Sequence, residues 1–431
     1  MFSKIKKYYV LLLLLVMSLF MMGGAIIAQE EETGPAYDNM RWDAPTYAHH
    51  GPYWIGSREI EVENGDRLLR GNIWYPALNP DGAAYEDYSY SSYTEEIWES
   101  WGMGAEWASI PGKALGDAPI DASGAPYPLI TLTHGFGVSR IIYTYLAEHL
   151  ASYGFVVTAV DHPGGGFSDN LTYGMGTPEL LAFLDDSFTY WVLDELRMIE
   201  YATELTDGED DFAGMIDATR IGATGNSTGG YVALLLAGAQ FDFGPLPDVY
   251  AERCTNNPNG EEVIACGFPQ MEAELAEMAG VDFVAGEPWG IVETSAVQAV
   301  FTTAPGTVIP FGMRGMEAVT VPVVTIAGTV DSLVPPATMQ YAHDTLGSEL
   351  KSMVWVENAD HFIFLDCGWQ TPASGGFCMD SVWDMNRARD LTKHFAAALF
   401  LGVLYEDADA MAALHPDAVD IPGILYETTM R

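Results

Sequence analysis

A mostly parallel β-sheet flanked by helices, an α/β fold carrying two insertions, is predicted by three features of the sequence. Short β-branched runs recur without interruption at 128–133 (PLITLT), 155–160 (FVVTAV), 219–224, 298–303, 321–327 (VPVVTIA) and 353–357 (MVWVE). Such runs suit strands covered on both faces. Helical patterns at 139–152, 180–206, 228–239, 336–346 and 381–404 lie between or after them. Strand alternating with helix implies parallel strands joined by right-handed crossovers. Finally, 431 residues with 49% hydrophobic and 12% aromatic content can bury a large core.

The elements follow in order. Lys4, Lys6 and Lys7 precede the apolar run 9–22, then Gly23, Gly24, Ala25 and Ala28 before an acidic stretch. That is the order of a secretory signal, so residues 1–28 are expected to be removed and the chain exported. An uncleaved anchor is the alternative, but the run is shorter than the ~20 residues a membrane span needs. Residues 29–50 read as an N-terminal tail, 51–405 as the folded domain and 406–431 as a C-terminal tail. REIEVENGDRLLRGNIWYP (58–76) reads as two strands around Asn64-Gly65-Asp66. Residues 81–116, rich in Tyr, Trp, Ser and Gly, and residues 240–297 read as insertions.

Eighteen basic against sixty acidic residues give a net charge of −42. Such a surface repels nucleic acid and anionic membranes, and neither is an expected partner. No membrane insertion is expected after the signal is cleaved. Cys254 and Cys266 flank one polar loop and Cys367 and Cys378 another, so two local disulfides are the simplest of three pairings in an exported chain. Zinc binding is the weaker alternative, because neither pair has knuckle spacing. The run Asp207–Asp211 lacks calcium-loop spacing and reads as a solvated turn.

Gly225-Asn226-Ser227-Thr228-Gly229 stands where strand 219–224 hands over to helix 228–239. Functional groups of α/β sheets gather at such carboxyl ends. A tight turn there would hold Ser227 in a strained conformation and lift its hydroxyl clear, as a nucleophile requires; a turn serving only close helix packing is the plainer reading. A serine hydroxyl needs a base, and the base an orienting acid. Chain order in this architecture predicts serine, then acid, then histidine. Asp331 in GTVDSLVPP and His361 in NADHFIFLD both follow late strands. Asp360 and Asp366 compete by proximity, but an immediate neighbour such as Asp360 points away from His361. His343 and His394 fall in helical patterns, His415 in the tail, and His134 and His162 read as loop structure. In THGFG (133–137), Phe136 N–H and, at the elbow, Thr228 N–H are the expected donors to a developing oxyanion. No cofactor or metal is expected.

With these residues assembled, the chain resembles the α/β-hydrolase superfamily. More narrowly it resembles bacterial proteins described as predicted dienelactone hydrolases, which are similar to platelet-activating-factor acetylhydrolases. The likeness runs from about 54 to about 400. It is carried by LTHGFGVSRIIYTYLAEHLASYGFVVTAVDHPG (132–164), DATRIGATGNSTGGYVALLLAGA (217–239), VPVVTIAGTVDSLVPP (321–336) and HFIFLD (361–366). The resemblance implies an α/β-hydrolase fold with Ser227 as nucleophile, His361 as base and Asp331 as acid. Asn226 departs from it, since relatives usually carry histidine there. The LASYGFVV-type segment is similar to one in secreted polyester hydrolases related to cutinases, but the insertions depart from their compact form. The expectation is an exported serine esterase acting on small-molecule, short-acyl esters, with a lipase, acetylhydrolase or polyester hydrolase of the same mechanism, or a silent binding fold, as alternatives.

Overall fold

The computed structural model describes residues 41–89, 109–163, 178–243, 272–292, 295–306, 311–366 and 379–430. The expected signal segment and all four cysteines lie outside these residues. Among those described, β1 (Trp54–Asn64) and β2 (Arg67–Ala77) form the expected antiparallel hairpin. Its two-residue loop has Gly65 at φ 65°, a conformation that glycine adopts without strain.

β3 (Glu86–Ser89), β4 (Ser109–Gly116), β5 (Tyr127–Thr133), β6 (Val156–Asp161) and β7 (Ile216–Asn226) follow. After them come β8 (Ala299–Thr303), β9 (Val323–Gly328), β10 (Lys351–Val356) and β11 (Ile424–Thr428). They make one sheet in the order β11-β10-β9-β8-β7-β5-β6-β2-β1-β4-β3. The run from β6 through β5, β7, β8 and β9 to β10 is parallel. All carboxyl ends of these strands therefore share one edge.

Helices cover both faces. Ile130, Leu132, Val157, Phe301, Ile326 and Val354 pack on one side with α1 (Thr144–Ser152) and a long later helix, α7 (Met385–Leu404). Leu129, Val156, Val160, Ala223 and Val300 face the other side. There they meet α2 (Pro178–Asp207), α3 (Thr228–Leu236), α4 (Glu272–Ala279), α5 (Gly312–Glu317) and α6 (Pro336–Thr345). Alternate residues of each strand thus feed two separate cores, which is why these strands read as unbroken apolar runs.

The segments expected as tails are corrected by the structure. Residues 46–48 form a 3-10 turn, where Tyr47 N donates to His394 Nδ1 at 3.1 Å and Tyr47 O accepts from His149 Nε2 at 2.8 Å. After residue 405, α8 (Ala408–Ala413) leads to β11, which pairs antiparallel with β10 and covers that edge of the sheet. Within the first insertion, β3 and β4 extend the opposite edge, with β4 parallel to β1. Within the second, Phe241 and Trp289 exchange backbone hydrogen bonds of 2.7 and 3.0 Å, and Leu275 of α4 is buried. No helix among the described residues is long and apolar enough to cross a membrane.

Candidate active site

Ser227 occupies the single residue between β7 and α3, at φ 53° and ψ −118°. A non-glycine residue at positive φ carries strain of order 1–3 kcal/mol, held only where the surroundings enforce it. They do so here. Ser227 N donates to Thr303 O at 3.0 Å, and Ser227 O accepts from Gly230, Tyr231 and Gly306 N–H at 2.9, 3.2 and 2.9 Å.

The two glycines flanking the elbow are there for contact. A Cβ on Gly225 would lie 2.3 Å from the Gly229 backbone, and one on Gly229 would lie 2.1 Å from Thr133 O. Strand, helix and the loop after β5 therefore close directly on one another. Asn226, the departure from the resemblance, has full partners: it accepts from Tyr143 Oη at 2.8 Å and donates to Thr303 O and Oγ1 at 3.1 and 2.8 Å.

Asp331 follows β9 and His361 follows β10, on the same sheet edge as Ser227. Asp331 and His361 are 6% and 3% exposed. His361 Nδ1 and Asp331 Oδ2 are 2.7 Å apart. A carboxylate only accepts, so Nδ1 carries the proton and Nε2 is left as a base. The other carboxylate oxygen, Oδ1, accepts from Leu333 N and Val334 N at 2.9 and 2.7 Å, which fixes its aim. A Cβ placed on Gly306 would lie 3.3 Å from Ser227 Oγ and 3.5 Å from Val334 Cγ2. The serine turn and the aspartate loop thus face each other across one methyl-sized gap. The Ser227–His361 hydrogen bond is not formed in this structure; such bonds often close only with substrate bound.

Phe136 lies in the loop after β5 and Thr228 opens α3. The loop abuts the elbow, since a Cβ on Gly135 would stand 3.3 Å from Ser227 Cβ. Behind it runs a buried polar network that sequence reasoning reached only as "loop structure". His162 N donates to His134 Nε2 at 3.2 Å, and His162 Nδ1 meets Asp194 Oδ2 at 2.9 Å. Arg67 grips Asp194 through two nitrogens at 2.6 and 2.9 Å. Thr133 Oγ1 donates to Glu195 at 2.9 Å. His162 Nε2 is 3.4 Å from Glu195 Oε1, an ion-pair distance without hydrogen-bond geometry. Burial works against a charged His162, but Asp194 and Glu195 outweigh it and raise its pKa; burial likewise opposes ionised Asp194, yet His162 and Arg67 hold that pKa down. Sequence spacing gave no signal for Asp194, which lies mid-helix in α2.

An acceptor imidazole aimed by a buried carboxylate, a hydroxyl on a strained strand-to-helix turn and a glycine loop beside it form a set suited to attack on a carbonyl carbon.

The comparisons agree with this architecture. Residues 46–173 match the family model "Platelet-activating factor acetylhydrolase, isoform II". Similar proteins include the platelet-activating factor acetylhydrolase of Cavia porcellus, 32% identical over 26% of this chain and 28% of that protein. The Bos taurus counterpart is 41% identical over 28% of each. The chain thus aligns with less than a third of the length of these two relatives. A ferulic acid esterase from Streptomyces cinnamoneus superposes with a TM-score of 0.54 at 19% identity, covering 89% of this chain and 98% of that one, a likeness of fold. The model described as "Alpha/beta hydrolase family" matches residues 132–370, more than half of the chain and the span that holds Ser227, Asp331 and His361, and to that family the protein belongs.

Proposed function

We propose that the protein is a carboxylic ester hydrolase that works through an acyl-enzyme, with Ser227 as nucleophile, His361 as general base and acid, and Asp331 as the orienting carboxylate. The observation that carries the reading is Ser227 at positive φ on the same sheet edge as the 2.7 Å His361–Asp331 pair. His361 Nε2 takes the hydroxyl proton as Oγ attacks the ester carbonyl. The oxygen, now negative, rests on the N–H groups of Phe136 and Thr228, and the alcohol leaves with the proton from His361. Water then repeats the steps and frees the acid. Similarity to proteins named acetylhydrolase and esterase supports the same class. Export through residues 1–28 and a preference for short acyl groups belong to this proposal.

The test is Ser227→Ala assayed on p-nitrophenyl acetate, with fluorophosphonate labelling of the wild type. Turnover falls by a factor of order 10³ or more in a folded variant, and the label maps to Ser227. Near-wild-type turnover overturns the mechanism.

A further inference from the structure

We infer that Asp360 is a positioning residue that locks the loop carrying Asp331 to the turn carrying His361; the inference rests on the reading of that pair as acid and base. Its carboxylate stands between the two. Oδ1 accepts from Ser332 N and from His361 N, each at 2.7 Å, and Oδ2 accepts from Ser332 Oγ at 3.0 Å. Ser332 directly follows Asp331, and His361 directly follows Asp360. One side chain therefore grips the backbone next to both members of the pair.

Nearer the sheet, the two loops are joined by Thr329 N to Val356 O at 3.0 Å and Val330 N to Ala359 O at 3.2 Å. Beyond those bonds His361 opens a 3-10 turn (His361–Phe364) that Asp360 caps, and the same Asp360 side chain supplies the next join to the Asp331 loop. Its own backbone is anchored, because Asp360 N donates to Asp380 Oδ2 at 3.1 Å. Asp380 Oδ1 in turn accepts from Val382 N and Trp383 N at 2.8 Å, and Trp383 Nε1 returns to Glu357 O at the end of β10. The brace thus closes a circuit back to the sheet.

Asp360 is not a substitute acid. His361 Nδ1 is occupied by Asp331, and all three acceptor bonds of Asp360 go to backbone N–H or to Ser332. Its effect on the reaction runs through geometry: if Ser332 swings, the adjacent Asp331 carboxylate loses its aim at Nδ1. Displacing a reacting group by about 1 Å can cost on the order of 10²-fold in rate.

The experiment compares Asp360→Ala, Asp360→Asn and Ser332→Ala in the full-length protein. It measures kcat per titrated active site, KM on p-nitrophenyl acetate, fluorophosphonate labelling rate and Tm. Asp360→Ala lowers kcat and the labelling rate together by about 10- to 100-fold, with KM held within about two-fold. Asp360→Asn keeps an oxygen for the two N–H donors and recovers most of the loss; Ser332→Ala, which deletes only the bond to Oδ2, loses several-fold. A lower Tm in Asp360→Ala with kcat per site unchanged makes the residue merely structural and overturns the inference. Should Asp360→Ala fail to fold, wild-type kcat per site in Ser332→Ala overturns it equally. Ser227→Ala separates the two levels: if that variant is inactive while Asp360→Ala is fully active, this inference alone falls, whereas an active Ser227→Ala removes the acid–base reading beneath it.

Discussion

His134 Nδ1 and the carbonyl oxygen of Gly135 are 2.7 Å apart, and since a carbonyl only accepts, the ring donates from Nδ1. His134 Nε2 accepts from His162 N, so the neutral Nδ1–H form is fixed from both sides. Burial, helped by neighbouring His162, pushes His134 down to about 4 and keeps that form in place at neutral pH. The Gly135 carbonyl shares a trans peptide with Phe136 N–H, so holding the oxygen aims the N–H the opposite way. The ring thereby orients one of the two proposed oxyanion donors.

His134→Ala is expected to lower kcat on p-nitrophenyl acetate by about 10- to 100-fold with little change in KM. That is less than the roughly 10²–10³ lost when a donor is removed outright, because the N–H remains but is free to turn. Steady-state kinetics check it, and a kcat within two-fold of wild type refutes the aiming role.

Stability should fall between pH 6.5 and 5. Burial is the leading cause that takes His50 down to about 3, His134 and His394 down to about 4, and His149 well below the usual value. The unfolded chain binds protons on these rings near pH 6.5 while the folded chain refuses them, so stability is lost as pH drops through this window. Each histidine held near 4 withdraws up to about 2 kcal/mol by pH 5, where carboxylates titrating near 4 are still ionised. His162, and Glu148, whose carboxyl is pushed up by burial to about 7, work in the opposite sense. A raised pKa stabilises at low pH and the gain fades as pH rises through the folded value, so the two offset part of the loss from the four histidines. Tm measured from pH 7.5 to 5 should decline steadily. Because His149 and His394 hold Tyr47, hydrogen exchange at 46–48 should quicken first. A flat Tm over that range contradicts the account.

Much of this site could be read from the sequence because its physics is local or topological. Strands β5 to β10 announce themselves as β-branched runs, since each is buried on two sides. The order serine, aspartate, histidine after β7, β9 and β10 is what singles out Ser227, Asp331 and His361 as the proposed triad. What escaped depends on side chains meeting across the fold. β11 (ILYET) is a short edge strand whose burial merely alternates, so its pattern resembled a tail. Asp360 was judged only by what an adjacent residue cannot do, and nothing in the chain announces that its carboxylate lands on Ser332. Asp194 sits in the middle of a helix, where an isolated aspartate reads as solvated.

Cys254 is expected to pair with Cys266, and Cys367 with Cys378, all four outside the described residues. The second loop is anchored at its near end, where Asp366 N donates to Ile142 O at 3.0 Å and Asp366 pairs with Arg389 at 3.1 Å. At its far end, two residues after Cys378, Asp380 holds Asp360 N. Non-reducing peptide mapping should recover the two local pairs, and reduction should lower kcat several-fold by slackening Asp380. Crossed pairs or four free thiols would rule the pairing out.

Acyl-chain preference is the remaining expectation. Tyr85, Tyr88, Tyr90, Tyr93, Trp98, Trp101 and Trp107 of the first insertion, mixed with Glu, Asp and Ser, suit either a partly polar pocket wall or plain packing of the insertion onto the sheet. Of these, Tyr85 packs its ring 5.2 Å from Trp54, holding the insertion on the sheet, and residues 90–108 lie outside the described part. A firmer ground is the gap beside the nucleophile. A single methyl at position 306 would touch both Ser227 Oγ and Val334 Cγ2, so the space next to the reacting hydroxyl is narrow on that side. On p-nitrophenyl esters kcat/KM should be highest from acetate to butyrate and fall clearly by octanoate. A roomy apolar pocket would instead gain up to ~0.8 kcal/mol for each added methylene. Gly306 has ordinary negative φ, so Gly306→Ala adds bulk without backbone strain, and its methyl 3.3 Å from Oγ forces a small adjustment. That variant should lose about 10-fold or more on butyrate and less on acetate, steepening the preference, because the larger acyl group needs more of the space the methyl fills. A rise in kcat/KM out to dodecanoate in the wild type, with Gly306→Ala insensitive to chain length, would refute the short-acyl assignment and favour a lipase built on the same three residues.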